Sequence, residues 1–248
     1  MIGEAIDGSA ASFGAFMRAH LEAVEAHNET TLARVAESML GVVRDERLIY
    51  TSGTGHSIGL VLESFYRAGG LACVQPLYHA SLLPLHGGLE STLCEHTTGL
   101  ADLMVAHFAP GPGDLAFVFS NSGVNAVPVE IADAMHARGA RVVAVVSLTH
   151  LRAARPQSGH TLADVADDIL DTLVPHGDAA YSAGDGVATA GLSSLTGVYL
   201  WSLLLARLAD RARSEGLRLP VWTSSNVEGG ADRNRELFAT YQPKIPTL

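Results

Sequence analysis

Apolar and polar positions follow two rhythms along this chain. Across residues 13–44, Leu32, Val35, Ala36, Met39 and Val43 recur at helical spacing, with charged residues between them. No Gly or Pro interrupts residues 15–40, so the pattern predicts one long helix. Beyond it, short apolar runs alternate with helical stretches. Runs at 48–51, 71–74, 115–119, 142–146 and 169–174 read as strands. Helices are expected over 58–68, ended by Gly69-Gly70, and over 98–107, before the turn Pro110-Gly111-Pro112-Gly113-Asp114. Another begins near Pro128, which suits a first helical turn, and stops at Gly139; a long one covers 192–214. The tail from Leu217 reads as irregular.

Apolar runs this short, set between helices, imply parallel strands buried on both faces. Right-handed crossovers then give an α/β fold, a flavodoxin-like doubly wound sheet of the five predicted strands in the order 2-1-3-4-5. The simplest division is an N-terminal helical arm at 1–46, an α/β domain at 47–216 and a C-terminal tail at 217–248. The tail is expected to pack on the domain or on a neighbouring subunit.

Hydrophobic residues make up 48% of the 248, enough for one sizeable core. Mean hydropathy is positive at +0.21, yet no apolar stretch reaches the roughly 18 residues of a membrane span, so none is expected. The first residues include Glu4 and Asp7 and lack the basic-then-apolar order of a signal peptide. Cys73 and Cys94 belong to no CxxC pair and make no disulfide framework, which points to the cytoplasm. A net charge of −10 argues against nucleic acid as a partner. One small anion remains compatible, because backbone N–H groups and hydroxyls hold a phosphate without net positive charge.

Two segments carry the candidate chemistry. Ser52-Gly53-Thr54-Gly55-His56-Ser57 joins the first strand to its helix, and Ser120-Asn121-Ser122-Gly123-Val124-Asn125 follows the third strand. In the expected strand order these strands are neighbours at the topological switch point, where open α/β sheets bind ligands beyond their carboxyl ends. Ser52, Gly53, Gly55, His56, Ser57, Ser120, Asn121, Ser122 and Asn125 are therefore the candidate binding residues. Other phosphate motifs fail. A dinucleotide fingerprint would need glycine where Ile58 stands and an acid where Gln75 and Pro76 stand. No lysine near either loop completes a P-loop, so NAD and ATP are disfavoured and no cofactor is expected.

At these loops the chain resembles the sugar isomerase (SIS) domain superfamily. Ser120, Ser122 and Gly123 match its Ser-x-Ser-Gly-x-Ser/Thr signature, while Asn125 stands where a hydroxyl residue is usual. Gly53-Thr54-Gly55-His56-Ser57 and Phe65-Tyr66-Arg67-Ala68-Gly69-Gly70 resemble the branch of bacterial SIS-domain proteins labelled sugar isomerase-like. Ser147-Leu148-Thr149, Val174-Pro175-His176-Gly177-Asp178 and Ser225-Asn226 extend the likeness through most of the chain after Leu48. The superfamily includes phosphoheptose isomerase and N-acetylmuramic acid 6-phosphate etherase. The resemblance implies a small sugar phosphate as ligand and a homodimer or homotetramer with sites at subunit boundaries.

Isomerisation next to a carbonyl, like elimination β to one, needs a base near neutrality and an acid. Glu63, in the helix after the first loop, is the candidate base, against the plain alternative of an i,i+4 ion pair with Arg67. His86 and Glu90, also i,i+4, are the candidate partners, with His79 close by. His176 and Asp178 are read as entering from a neighbouring subunit, and His160 and Asp164 as a weaker pair. No HxH or HExxH spacing appears, so no metal is expected, although some phosphoheptose isomerases use zinc. The sequence thus predicts a phosphosugar isomerase or lyase. The rival readings are a phosphosugar sensor acting through a partner protein and an enzyme for an unphosphorylated or sulfonated sugar.

Overall fold

The computed structural model describes residues 10–248. A long helix α1 (Ala10–Arg44) leads into β1 (Ile49–Gly53), α2 (Ile58–Ser64), β2 (Val74–Leu77), α3 (Gly88–Glu95) and α4 (Leu100–Ala106). Then come β3 (Leu115–Phe119), α5 (Ala126–Ala137), β4 (Arg141–Val146), α6 (Leu148–Ala153), α7 (Leu162–Val165) and β5 (Asp168–Asp171). A hairpin of β6 (Ala179–Gly184) and β7 (Val187–Gly191), α8 (Ser193–Ser214) and α9 (Gly230–Tyr241) complete the chain. The main sheet is parallel, in the order β2-β1-β3-β4-β5. That is the expected doubly wound α/β topology.

The central strand β3 is buried along its whole length. Phe117 and Phe119 stack 6.2 Å apart, and Trp201 of α8 meets Phe117 edge-on at 5.1 Å. Leu32, Val35 and Met39 of α1 lie in the same core, fully buried. α1 also completes the margin of the sheet. Asn28, buried in α1, donates to the Asp171 carbonyl (2.8 Å) and accepts from the Asp171 N–H (2.9 Å), so one amide stands in for a sixth strand beside β5. Replacing it by leucine strands both backbone groups. Asn28→Leu is expected to lower stability by about 2–3 kcal/mol, read by urea unfolding. A loss below about 0.5 kcal/mol would show that water replaces the amide.

Several boundaries differ from expectation, each for a local reason. α2 stops at Ser64, because Phe65 is extended (φ −106°, ψ 136°). β2 starts at Val74 instead of Leu71, because residues 69–72 bond to the tail first. Gly69 and Ala72 donate to the carbonyls of Trp222 and Pro220, and Leu71 bridges Val221. β5 ends at Asp171, whose carboxylate accepts from the N–H groups of Leu148 and Leu173; Leu173 turns away with φ +52°. The tail is not irregular. It forms α9, and Trp222, Tyr241 and Ile245 are buried in the core, with Trp222 against Phe238 at 5.0 Å. Cys73 and Cys94 are free, and burial pushes the Cys73 thiol up to about 12. Among the described residues, no helix is long and apolar enough to cross a membrane.

Candidate functional site

Strand register positions the two loops. Gly53, the last residue of β1, pairs with Phe119, the last residue of β3, so the chain leaves both strands side by side at the same level. Gly53 itself is set by a close approach: a Cβ there would stand 2.7 Å from the carbonyl oxygen of Ser57. Thr54–Ser57 therefore folds back tightly into a helical turn, closed by Ser57 N–H donating to the Thr54 carbonyl (3.0 Å), before α2 begins. In the second loop the Ser120 N–H donates to the Val145 carbonyl (3.1 Å) and Ser120 Oγ accepts from the Gly123 N–H (3.2 Å). Gly123 has φ +65°, and a Cβ on it would meet Leu151 at 2.8 Å, so this turn needs glycine.

Between the loops lies a cleft of about 420 Å³, lined mostly by residues with polar side chains. Gly55, His56 and Ser57 line it from the first loop, and Ser120, Asn121, Ser122 and Asn125 from the second. Among the described residues the side chains of Ser57, Ser122 and Asn125 have no hydrogen-bond partner. Ser52 and Gly53 lie beneath the cleft instead. Ser52 is buried and its hydroxyl donates to the Leu77 carbonyl (3.3 Å), which ties β1 to β2.

Of the glutamates considered, Glu95 at the end of α3 lines this cleft and Glu63 does not. Thr54 Oγ1 donates to Glu95 Oε2 at 2.7 Å, which fastens the acid to the first loop, and His96 Nε2 lies 3.7 Å from the other oxygen. Glu63 forms an ion pair with Arg67 on α2 and does not line the cleft, so the plain alternative for it holds in this structure. His86 and Glu90 are exposed and also lie off it. The helical turn Pro84–His86 and α3 are separate elements broken at Gly87, so the two residues do not share a helix face. Pro84, Gly88, Ser91 and Thr92 form the rim there.

His150 of α6, Asp178 and Ser193 close the cleft on the β4 side. Asp178 reaches the site from this same chain instead of a neighbour. Its carboxylate accepts from the Leu192 N–H (3.0 Å), the Ser193 N–H (2.8 Å) and the Ser193 hydroxyl (2.8 Å), capping α8. The His176 ring lies 4.8 Å from that of His150. His160 pairs with Asp133 at 3.0 Å and Asp164 caps Thr161, so both serve local structure. His79 caps a helical turn through the Ser81 N–H (3.4 Å). Among the described residues, no three His, Cys, Asp or Glu side chains converge as a metal site.

Sequence reasoning missed Glu95 and His150. For His150 the available signal was its position just past the carboxyl end of a predicted strand, where open α/β sheets place functional groups. Glu95 gave no such signal, because what brings it to the cleft is a contact with Thr54, 41 residues away along the chain.

A doubly wound parallel sheet with two Ser/Gly loops meeting over a cleft at the switch point defines an α/β domain of the open-sheet class. Residues 12–147 match the family described as SIS domain, and the chain belongs to that family. A UPF0309 protein of Geobacillus kaustophilus (strain HTA426) is 32% identical over 232 residues, which is 92% of each chain. Another, from Listeria monocytogenes serotype 4b (strain CLIP80459), is 34% identical over 219 residues, 87% of each. A phosphoheptose isomerase from Neisseria gonorrhoeae shares the fold at a TM-score of 0.53 and 18% identity, over 82% of this chain and 96% of that one.

Proposed function

We propose that the cleft binds a sugar phosphate and that the protein isomerises it or eliminates a substituent β to its carbonyl. The observation that carries this reading is the pairing of Gly53 with Phe119, which sets both Ser/Gly loops over one cleft with Glu95 fastened to the first. Ser57, Ser122 and Asn125, with unpartnered side chains, are the phosphate ligands, supported by Ser120 and Asn121. Asn125 also begins α5 without capping it through its side chain, which leaves the amide available to a phosphate oxygen. Glu95 is the base that works at carbon. Membership of the SIS family and the likeness to a phosphoheptose isomerase fold support the choice of ligand. The reading includes a homodimer or homotetramer, supported by Leu85, Leu89 and Leu93, which stand 90%, 76% and 62% exposed around α3.

A panel of hexose, amino-sugar and heptose phosphates tests it. At least one member is expected to raise the melting temperature more than inorganic phosphate does, and to be converted. Ser122→Ala is expected to weaken that binding about 10-fold, the equivalent of one charge-assisted hydrogen bond. Absence of any shift or conversion across the panel sinks the proposal. Strong binding without conversion would assign the cleft to a sensor.

A further inference from the structure

We propose that His150 is a second catalytic residue of this cleft, moving protons on the substrate's oxygens while Glu95 works at carbon. The inference rests on the sugar-phosphate reading above. Its first support is placement. His150 lies in the first turn of α6, immediately beyond the carboxyl end of β4. Its N–H donates to Ser147 Oγ (3.0 Å), and that hydroxyl donates to the Val174 carbonyl (2.6 Å), so the residue is held from two directions.

The second support is the state of the ring. It lines the cleft, yet Nδ1 is shielded from solvent and has no hydrogen-bond partner. Buried polar atoms are nearly always paired, so an exception calls for an explanation, and a role in the reaction is one that suits a ring on the cleft. Burial first, and then the neighbouring His176, hold the imidazole below its ordinary pKa, while Asp178 pushes the other way. The ring is therefore neutral near pH 7, with one nitrogen that donates and one that accepts. Asp178 is not a rival for the role, because its carboxylate already accepts three bonds at the start of α8.

The third support is the sheet order. The loop after β3 lies between the loop after β1, which holds Glu95 through Thr54, and the loop after β4, which leads into His150. Carboxylate and imidazole thus flank the Ser120–Asn125 loop, and a sugar seated there has a proton-transfer group on each side. In isomerisation Glu95 takes the proton from the carbon next to the carbonyl, and the C–H electron pair becomes the enediol double bond. The carbonyl oxygen takes the imidazole N–H proton. The imidazole then takes the proton of the neighbouring hydroxyl as the new carbonyl forms, and Glu95 returns its proton to the adjacent carbon. In elimination the imidazole proton goes to the departing oxygen.

The test uses the full chain and whichever panel sugar phosphate the parent protein converts fastest. His150→Ala is expected to lower kcat about 100- to 10,000-fold with KM within about threefold, and free imidazole is expected to restore part of the rate. His150→Gln, which fills the site without carrying a proton, is expected to lose the same rate and to gain nothing from imidazole. If both variants keep kcat within about threefold of the parent, the inference falls while the sugar-phosphate reading stands. A rate loss that imidazole leaves unchanged in His150→Ala assigns the ring to packing and also overturns it. A parent protein that converts no panel member overturns the underlying reading, and the role of His150 with it.

Discussion

Glu95→Gln is expected to bind the panel sugar phosphate as tightly as the parent protein and to convert it about 100- to 10,000-fold more slowly. The amide has the size of the acid, and its oxygen can still accept from Thr54 Oγ1, which holds the parent carboxylate at 2.7 Å. What it loses is the ability to take a proton from carbon. Binding should survive because the groups assigned to phosphate belong to the two loops and not to α3. Thermal shift measures the binding and a coupled assay measures kcat. Glu63→Gln is the matched comparison. It removes an acid one helix away that is already paired with Arg67, and conversion should stay within about twofold of the parent. Full conversion by Glu95→Gln would end the case for that carboxylate, and loss in Glu63→Gln alone would return the role to α2.

Gly53→Val is expected to act on stability and binding together. The first atom of any side chain at 53 would lie 2.7 Å from the carbonyl oxygen and 2.9 Å from the carbonyl carbon of Ser57. Both are backbone atoms, so they cannot swing aside as a flexible side chain would. Relief requires the turn at Thr54–Ser57 to move away from its neighbour at Ser120–Asn125. Overpacking of this kind costs about 1–3 kcal/mol, or a few degrees in Tm for a domain of this size. Sugar-phosphate affinity should drop at least about 10-fold, because the two loops no longer converge on one anion. Parent-like affinity in a folded Gly53→Val protein would show that the convergence is not what makes the site.

The sheet was legible because its strands are short apolar runs between helices, and residues 115–119 became β3 without adjustment. The second loop was legible for the same reason, since its serines follow directly from that strand. Contacts distant in sequence were not legible. The tail claims residues 69–72 and shifts β2 toward its carboxyl end. The hairpin β6–β7 escaped notice because small residues such as Ala179, Ala180, Ser182, Ala188 and Thr189 show little contrast between faces. Yet Asp185-Gly186 at its tip, with φ +52° and +75°, is a strong turn signal. The candidate site was legible in part. The residues proposed as anion ligands sit on loops adjoining their own strands and could be read locally. The groups proposed for proton transfer depend on how α3 and α6 pack, and spacing within a helix pointed to Glu63 and Glu90 whereas the Thr54 contact places Glu95 on the cleft.

The amide of Asn28 has a consequence for behaviour in a crowded solution. The outermost strand of a sheet normally offers unpaired backbone groups that can recruit a strand from another molecule, which begins fibre growth or exchange of segments between copies. At Asp171 those groups are already occupied by a side chain that cannot propagate the ladder. The opposite outermost strand carries Pro76, which has no N–H to offer. Both ends of this sheet are thereby capped against self-templating, and a chain altered at Asn28 should clump on prolonged warming well before its cleft loses shape.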